Sequence, residues 1–287
     1  MKPAPFEYHD PRTVDETVAL LAQYGDDAKI LAGGQSLLPM LNLRLARPAA
    51  VIDINRLSGA DDIVETGPAV RVGALVRQRA FERWAGARLP LVAAGLALVG
   101  HAPIRNRGTV AGSVAHADPA SELPALLLCL DGTVIARSVA GEREIAAADF
   151  FQGPLMTAAR ADELVTHTRW SMPAAGTGWG FHEVARRHGD FALVGVAALV
   201  TVRAGVVQQA RVALFGAGAT PVRARRAEAA LTGQRLSDGV IAEAAAQAAA
   251  EIAPDSDLHA TAAYRRRAAR TLVTRALTDA AAGAGGA

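Results

Sequence analysis

The chain has 287 residues, 51% of them hydrophobic and 20% charged, with 30 basic against 28 acidic side chains and a formal net charge of +2. That length and balance predict a buried core in one large domain or two to three small ones, and they exclude a disordered chain. The single cysteine, Cys129, closes no internal disulfide and cannot by itself hold an iron–sulfur cluster or a zinc ion.

The N-terminal MKPAPFEYHDPRT lacks a basic stretch followed by an apolar run, and no later window approaches a membrane span, so a cytoplasmic chain with no transmembrane segment is expected. TVDETVALLAQYG predicts a short amphipathic helix with Val14, Val18 and Leu21 on one face, Thr13 as N-cap and Gly25 as the stop. AKILAGG then reads as a strand running into glycines, SLLPMLNLRLARP as a helical or irregular stretch, and AVIDINRL as a second strand. This gives an N-terminal α+β part over 1–55.

From Ile63, two strands around a Gly67-Pro68 turn precede helices in RQRAFERWA and PLVAAGLALVG. The glycine-bearing RGTVAGSVAHAD follows, and alternation continues through LPALLLCL, GTVIARS and ELVTHTRW, so a mixed α+β part over 56–175 is expected. PAAGTGWG reads as a linker, after which HEVARR, FALVGVAALVTVRAG and VVQQARVALFGAG predict a small meander. Three helical stretches, RAEAALTG, SDGVIAEAAAQAAAEIA and TAAYRRRAARTLVTRAL, complete a sheet-and-helix domain over 176–287, with the final GAGGA expected to be flexible. The basic runs Arg223/Arg225/Arg226 and Arg265/Arg266/Arg267 lack interleaved aromatics, so they read as solvated helix faces or a subunit contact and not as a nucleic-acid surface.

Two glycine-rich stretches can carry binding chemistry. Ala32-Gly33-Gly34-Gln35-Ser36 follows a strand and precedes a helix, where glycines let consecutive N–H groups face a phosphate and Ser36 adds a hydroxyl; a plain tight turn explains it equally well. Arg107-Gly108-Thr109-Val110-Ala111-Gly112-Ser113 is similar in kind. Two such loops suit a diphosphate, yet neither is a G-x-G-x-x-G fingerprint nor a P-loop.

His116, Asp118 and Glu122 form a poor metal set, with one imidazole and an intervening Pro119. Glu122 instead suits a ribose hydroxyl or, equally well, a plain helix start capped by Asp118 or Ser121. In Arg186-Arg187-His188-Gly189-Asp190-Phe191, a salt-bridge corner at Arg186 and Asp190 is expected, with Phe191 available to pack on a ring-shaped ligand. No nucleophile with a fixed base can be assembled.

Together, AGGQSLLPMLNLRLARP, RGTVAGSVAHADPASELPA and VARRHGDFALVGVA resemble the medium, FAD-binding subunit of the carbon monoxide dehydrogenase and xanthine dehydrogenase family of molybdenum hydroxylases, over essentially the whole chain. The resemblance implies an α+β, vanillyl-oxidase-like (PCMH-type) FAD-binding fold with a C-terminal antiparallel sheet plus helices. By that likeness FAD is the cofactor. Residues 32–36, namely Ala32, Gly33, Gly34, Gln35 and Ser36, and Thr109, Ala111, Gly112 and Ser113 would wrap its diphosphate. Glu122 would be the acidic contact, Leu164 would lie near the isoalloxazine edge, and His101, Ile104 and Phe191 would approach the ring. Xanthine dehydrogenases carry lysine where this chain has His182, and many relatives carry glycine at the position of Ala111.

The resemblance also implies a division of labour. A large molybdopterin-binding subunit hydroxylates the substrate, a small subunit relays electrons through two-iron two-sulfur clusters, and the flavin passes them to an external electron acceptor, in a dimer of heterotrimers. No catalytic base is required of this chain. Carbon monoxide, an aldehyde, a purine or another N-heterocycle would all fit as the substrate of the complex. The alternatives are a stand-alone FAD-dependent oxidoreductase of the same fold and a scaffold subunit that has lost its cofactor.

Overall fold

The computed structural model describes residues 2–284. Residues 285–287, part of the tail expected to be flexible, lie outside the described residues. The N-terminal part contains β1 (Glu7–His9), α1 (Val14–Tyr24), β2 (Ala28–Leu31), α2 (Leu37–Asn42) and β3 (Ala50–Asp53). Its three strands form a parallel sheet ordered β1-β3-β2. The Thr13 hydroxyl caps α1 by accepting the Glu16 N–H at 3.1 Å, and Gly25 ends it at a φ of +53°. Val18 and Leu21 then pack on Ile52 and Ile54.

Two details of this part go beyond the sequence reading. β1 is a short, mostly exposed edge strand with no apolar alternation to announce it. α2 occupies only six residues of its stretch, because Arg44 takes a φ of +56° and turns the chain out of the helix.

The middle part is built on an antiparallel five-stranded sheet ordered β4-β5-β10-β6-β7. β4 (Ile63–Thr66) and β5 (Ala69–Gly73) are followed by five helices: α3 (Gln78–Ala85), α4 (Pro90–Leu98), α5 (Ala102–Arg107), α6 (Val110–His116) and α7 (Glu122–Cys129). β6 (Thr133–Ser138), β7 (Gly141–Ala146), the short α8 (Ala147–Phe150), β8 (Phe151–Gly153) and β9 (Met156–Thr157) lead to β10 (Leu164–Ser171). Every residue of α7 is buried, which matches a sequence that is apolar throughout after Glu122. With Phe81, Leu91 and Trp170 it fills the main core, each large side chain contributing roughly 1.5–3 kcal/mol by leaving water.

The C-terminal part is a meander of β11 (Thr177–Val184), β12 (Val194–Arg203), β13 (Val206–Phe215) and β14 (Val222–Arg223), covered by α9 (Arg225–Leu231), α10 (Asp238–Glu251) and α11 (Ala262–Gly283). β11 begins inside the stretch read as a linker and ends at Val184, so Ala185, Arg186 and Arg187 belong to a loop and not to a strand. The glycines explain the first of these differences. Ideal Cβ atoms on Gly178 and Gly180 would stand 1.8 Å from the Ala280 carbonyl oxygen and 2.1 Å from that of Ala276, so these residues let α11 rest on the strand.

The reading of both basic runs as solvated faces fails at two residues. Arg223 is half-buried on β14 with its side chain only 8% exposed, paired with Glu228 and, at 2.6 Å, with Asp131. Arg265 is 7% exposed. Among the described residues, no helix is long and apolar enough to cross a membrane.

Candidate functional site

β2 delivers the chain into Ala32–Ser36, and the residues that follow turn into α2. Gly34 supplies the turn with a φ of +74°, a conformation glycine adopts without strain. No acceptor among the described residues takes the N–H of Gly33, Gly34, Gln35 or Ser36; the Gln35 amide only donates back to the Gly33 carbonyl at 3.2 Å. Four consecutive donors on one turn form a nest for an anion.

The second stretch is not the loop its glycines suggested. Thr109 is the N-cap of α6, its hydroxyl accepting the Gly112 N–H at 3.1 Å, and the Ser113 N–H is taken by the Thr109 carbonyl at 3.2 Å. Ala111 and Gly112 therefore lie in a first helical turn whose amides are partly committed, and Ala111 is buried. The Ser113 hydroxyl meets that of Ser121 at 3.1 Å, so Ser121, although at the N-cap position of α7, makes no capping bond there.

These two stretches touch. An ideal Cβ on Gly33 would lie 2.5 Å from the Arg107 carbonyl oxygen, 2.7 Å from the Gly108 Cα and 3.0 Å from the Thr109 nitrogen. One built on Gly112 would reach the Ala32 Cβ at 4.0 Å. Backbone meets backbone across 70 or more residues of sequence, leaving a common wall that only glycine permits.

Asn55 and Arg77, which carried no recognisable signal in the sequence, bolt this junction together. Arg77 donates to the Arg107 carbonyl at 2.6 Å and to the Asn55 side-chain oxygen at 2.7 Å, while the Asn55 amide donates to the Ala32 carbonyl at 2.8 Å. Asp53 orients Asn55 by accepting its backbone N–H at 2.9 Å and its side-chain amide at 2.6 Å. Burial opposes the Asp53 charge, yet the Asn55 and Tyr8 bonds and the Arg107 charge hold its carboxyl below the usual range. Arg77 is itself lowered, first by burial and then by the neighbouring Arg107 charge.

Glu122 opens α7 and is 3% exposed. Burial, with the Glu183 charge second, pushes its carboxyl up to about 8. Glu183, on β11, is pushed up to about 7 by burial, and its Oε2 is buried without a partner. Two buried carboxyls whose charges repel favour retention of a proton and suit a donor such as a hydroxyl. Asp118 accepts the Ala120 N–H at 2.8 Å and shapes the turn before α7.

The remaining candidates fall into two groups. His101 is the exposed N-cap residue of α5; its ring lies 5.7 Å from that of His188 and directly behind Gly189. Ile104, 36% exposed on the same helix, packs over Gly100. Phe191 is 60% exposed on the loop between β11 and β12 and lines a cavity of about 930 Å³ together with Asp118, Arg186 and Arg265. The charged corner of that loop is Arg187–Asp190, at 3.1 Å, and not Arg186–Asp190. Leu164, in contrast, is buried with Val18, Ile52 and Leu75 in the core behind the first loop. His182 pairs with Asp279 of α11 at 2.7 Å.

Known proteins resemble the chain throughout. Residues 4–170 match the family described as FAD binding domain in molybdopterin dehydrogenase, and residues 179–280 match the CO dehydrogenase flavoprotein C-terminal domain. The 6-hydroxypseudooxynicotine dehydrogenase complex subunit alpha of Paenarthrobacter nicotinovorans is 40% identical over 98% of this chain and 96% of its own length. The carbon monoxide dehydrogenase medium chain of Hydrogenophaga pseudoflava is 37% identical over 98% of each. Among solved structures, carbon monoxide dehydrogenase from Hydrogenophaga pseudoflava superposes with a TM-score of 0.97 at 40% identity, over 99% of this chain and 100% of that one. Quinoline 2-oxidoreductase from Pseudomonas putida 86 does so with 0.93 at 36% identity, over 99% of each.

Proposed function

Since the chain belongs to the family of FAD-binding medium subunits of carbon monoxide dehydrogenase-type molybdenum hydroxylases, which are oxidoreductase subunits, we propose that it relays electrons from partner-held iron–sulfur clusters to an external acceptor. FAD, when bound, accepts and releases the electrons. The chain's own residues bind the cofactor, orient it and limit access to it.

The single observation that carries this reading is the seat of Gly33 against Arg107–Thr109, which puts four uncommitted amides beside the α6 N-terminus. Those amides, with Ser36, are suited to the diphosphate, whose negative charge the turn favours. Thr109, Ala111, Gly112 and Ser113 form the facing wall. Glu122 is suited to accept a hydroxyl of the cofactor, and His101, Ile104 and Phe191 flank the ring. Leu164 supports the first loop from the core and so acts on the flavin edge through its neighbours.

The reading extends to the assembly. This chain has one cysteine, so the two-iron two-sulfur clusters belong to a small subunit and the molybdenum-pterin cofactor to a large one, in a dimer of heterotrimers. A cytoplasmic location agrees with a thiol that needs no disulfide partner. The three larger sheets support functional division near residues 55 and 175, the first two parts holding FAD and the third closing over it. Purification of the intact complex tests the proposal: FAD should accompany this chain one to one, with molybdenum and iron on copurifying chains. A lone subunit that turns over a small substrate at full rate would overturn it in favour of a stand-alone oxidoreductase.

A further inference from the structure

Arg265 stands in the first turn of α11, where its neighbours Arg266, Arg267 and Arg270 are exposed and it alone of these four is buried. Its Nη1 donates to the Leu193 carbonyl and, at 3.1 Å, to the Gly216 carbonyl; Nη2 donates to the Asp257 carboxylate at 2.7 Å. Asp257 is itself held in place, accepting the His259 and Ala260 N–H groups, which with Arg265 keep its carboxyl down at about 2. Each carbonyl bound by Arg265 closes a segment of the candidate site. The Leu193 N–H bonds Val184 at 2.7 Å, so this pair pinches off the loop that carries Phe191 and rests Gly189 on His101. The Gly216 N–H bonds the Pro119 carbonyl at 2.7 Å, fixing the turn that leads to Ser121 and Glu122. Gly216 has a φ of +63°, and an ideal Cβ there would lie 2.7 Å from the Leu193 oxygen, so two carbonyl-bearing segments are held close together around one guanidinium.

We propose that Arg265 is a positioning residue for the flavin site, setting from the C-terminal helix both the Phe191 loop and the Pro119–Ser121 turn. A planar fork with several fixed donors can span acceptors on three segments, which a lysine ammonium cannot do in one geometry. The inference rests on the reading of Phe191 as a flavin-ring contact.

The test uses the intact complex carrying Arg265→Lys, the milder Asp257→Asn, Phe191→Ala, or Arg265→Lys with Phe191→Ala. Two readouts are taken: trypsin cleavage after Arg186 and Arg187, and the visible absorption band and midpoint potential of the bound flavin. Arg265→Lys should speed cleavage about ten-fold and displace the flavin band and potential in the same direction as Phe191→Ala, with Asp257→Asn intermediate. The double variant should go no further than Phe191→Ala alone, because both act through one contact. If Phe191→Ala changes the flavin signals and the Arg265 and Asp257 variants leave them and the cleavage rate unchanged, the role of Arg265 is overturned. If cleavage accelerates while no variant, Phe191→Ala included, moves the flavin signals, the ring contact is wrong and the positioning role falls with it.

Discussion

Gly33 lies against Thr109 so closely that a Cβ on the glycine would stand 3.0 Å from the Thr109 nitrogen, with the Arg107 carbonyl oxygen nearer still at 2.5 Å. Both neighbours are backbone and cannot rotate away. Gly33→Ala should therefore wedge the two stretches apart, costing roughly 1–3 kcal/mol and weakening FAD about ten-fold or more. Fluorescence titration of deflavinated protein measures this. Gly233→Ala, at a φ of +82° with open space around it, is the control that should strain a remote turn and leave FAD affinity intact.

Arg77 and Asn55 hold the same junction through side chains, in a chain of bonds from the Arg107 carbonyl to the Ala32 carbonyl. Either Arg77→Ala or Asn55→Ala should weaken FAD by roughly 5–30-fold, the equivalent of about 1–2 kcal/mol for one lost bonding arrangement. The double variant should fall well short of the product of the two, because both residues belong to one chain. Additive losses would show that they act separately.

Glu122→Gln should move two properties in opposite directions. The folded-state value of about 8 lies above the ordinary 4.5, so the folded chain holds the proton more tightly than the unfolded chain. The stabilising contribution of that proton is complete below about 4.5 and is lost as the pH rises to about 8. The amide does not ionise, so the deflavinated variant should melt above the parent at pH 8.5, by about 2–4 °C for each kcal/mol recovered, and the difference should shrink toward pH 5. Binding of FAD at the same pH 8.5, by contrast, should weaken roughly ten-fold, since above about 8 Glu122 is an ionised acceptor of a hydroxyl and the amide is a neutral one. A variant that is more stable and binds FAD unchanged would reduce Glu122 to a buried helix-start residue.

Legibility in the sequence followed the range of the physics. α1, with a Thr13 cap, an apolar stripe and a Gly25 stop, is governed by contacts within four residues and was readable in detail. The strands of the meander were readable because alternation and apolar runs survive without context, but the start of β11 was hidden: Gly178 and Gly180 look like a linker until α11 is laid on them. At the site, the glycine stretches announced themselves, while α6 did not, since TVAGSVA has the composition of a loop and only the Thr109 cap turns it into a helix. Asn55 and Arg77 gave no signal because the bonds by which they hold the junction span 22 or more residues. Arg223 and Arg265 looked like surface charge for the same reason, their acceptors lying on other elements.

Cys129 reports on the seam between the middle and C-terminal parts. It is fully buried at the end of α7, with its thiol 3.6 Å from the Ala197 carbonyl of β12, and burial pushes it up to about 12. The native protein should therefore leave a thiol reagent unreacted over hours at pH 8, because the thiolate is the reactive form. One equivalent should react on addition of denaturant, at the concentration where the β12 sheet separates from α7. Fast labelling of the native chain would show that this seam opens readily.

Gly180→Ala tests the C-terminal part apart from the cofactor. A Cβ at that position would stand 2.1 Å from the Ala276 carbonyl oxygen and 2.7 Å from the Ala276 Cα, so α11 has to lift from β11 or the strand has to bend. α11 buries Leu272, Val273 and Leu277 against the sheet, and lifting it exposes part of that surface. The expected loss is about 1–3 kcal/mol, in the range for overpacking a close contact, read as a lower melting temperature of the isolated subunit. The Gly33–Thr109 junction is built from other elements, so FAD affinity of the folded fraction should change by less than about two-fold. Reverse behaviour, with FAD lost and melting unchanged, would mean that the sheet under α11 sets the flavin cradle directly.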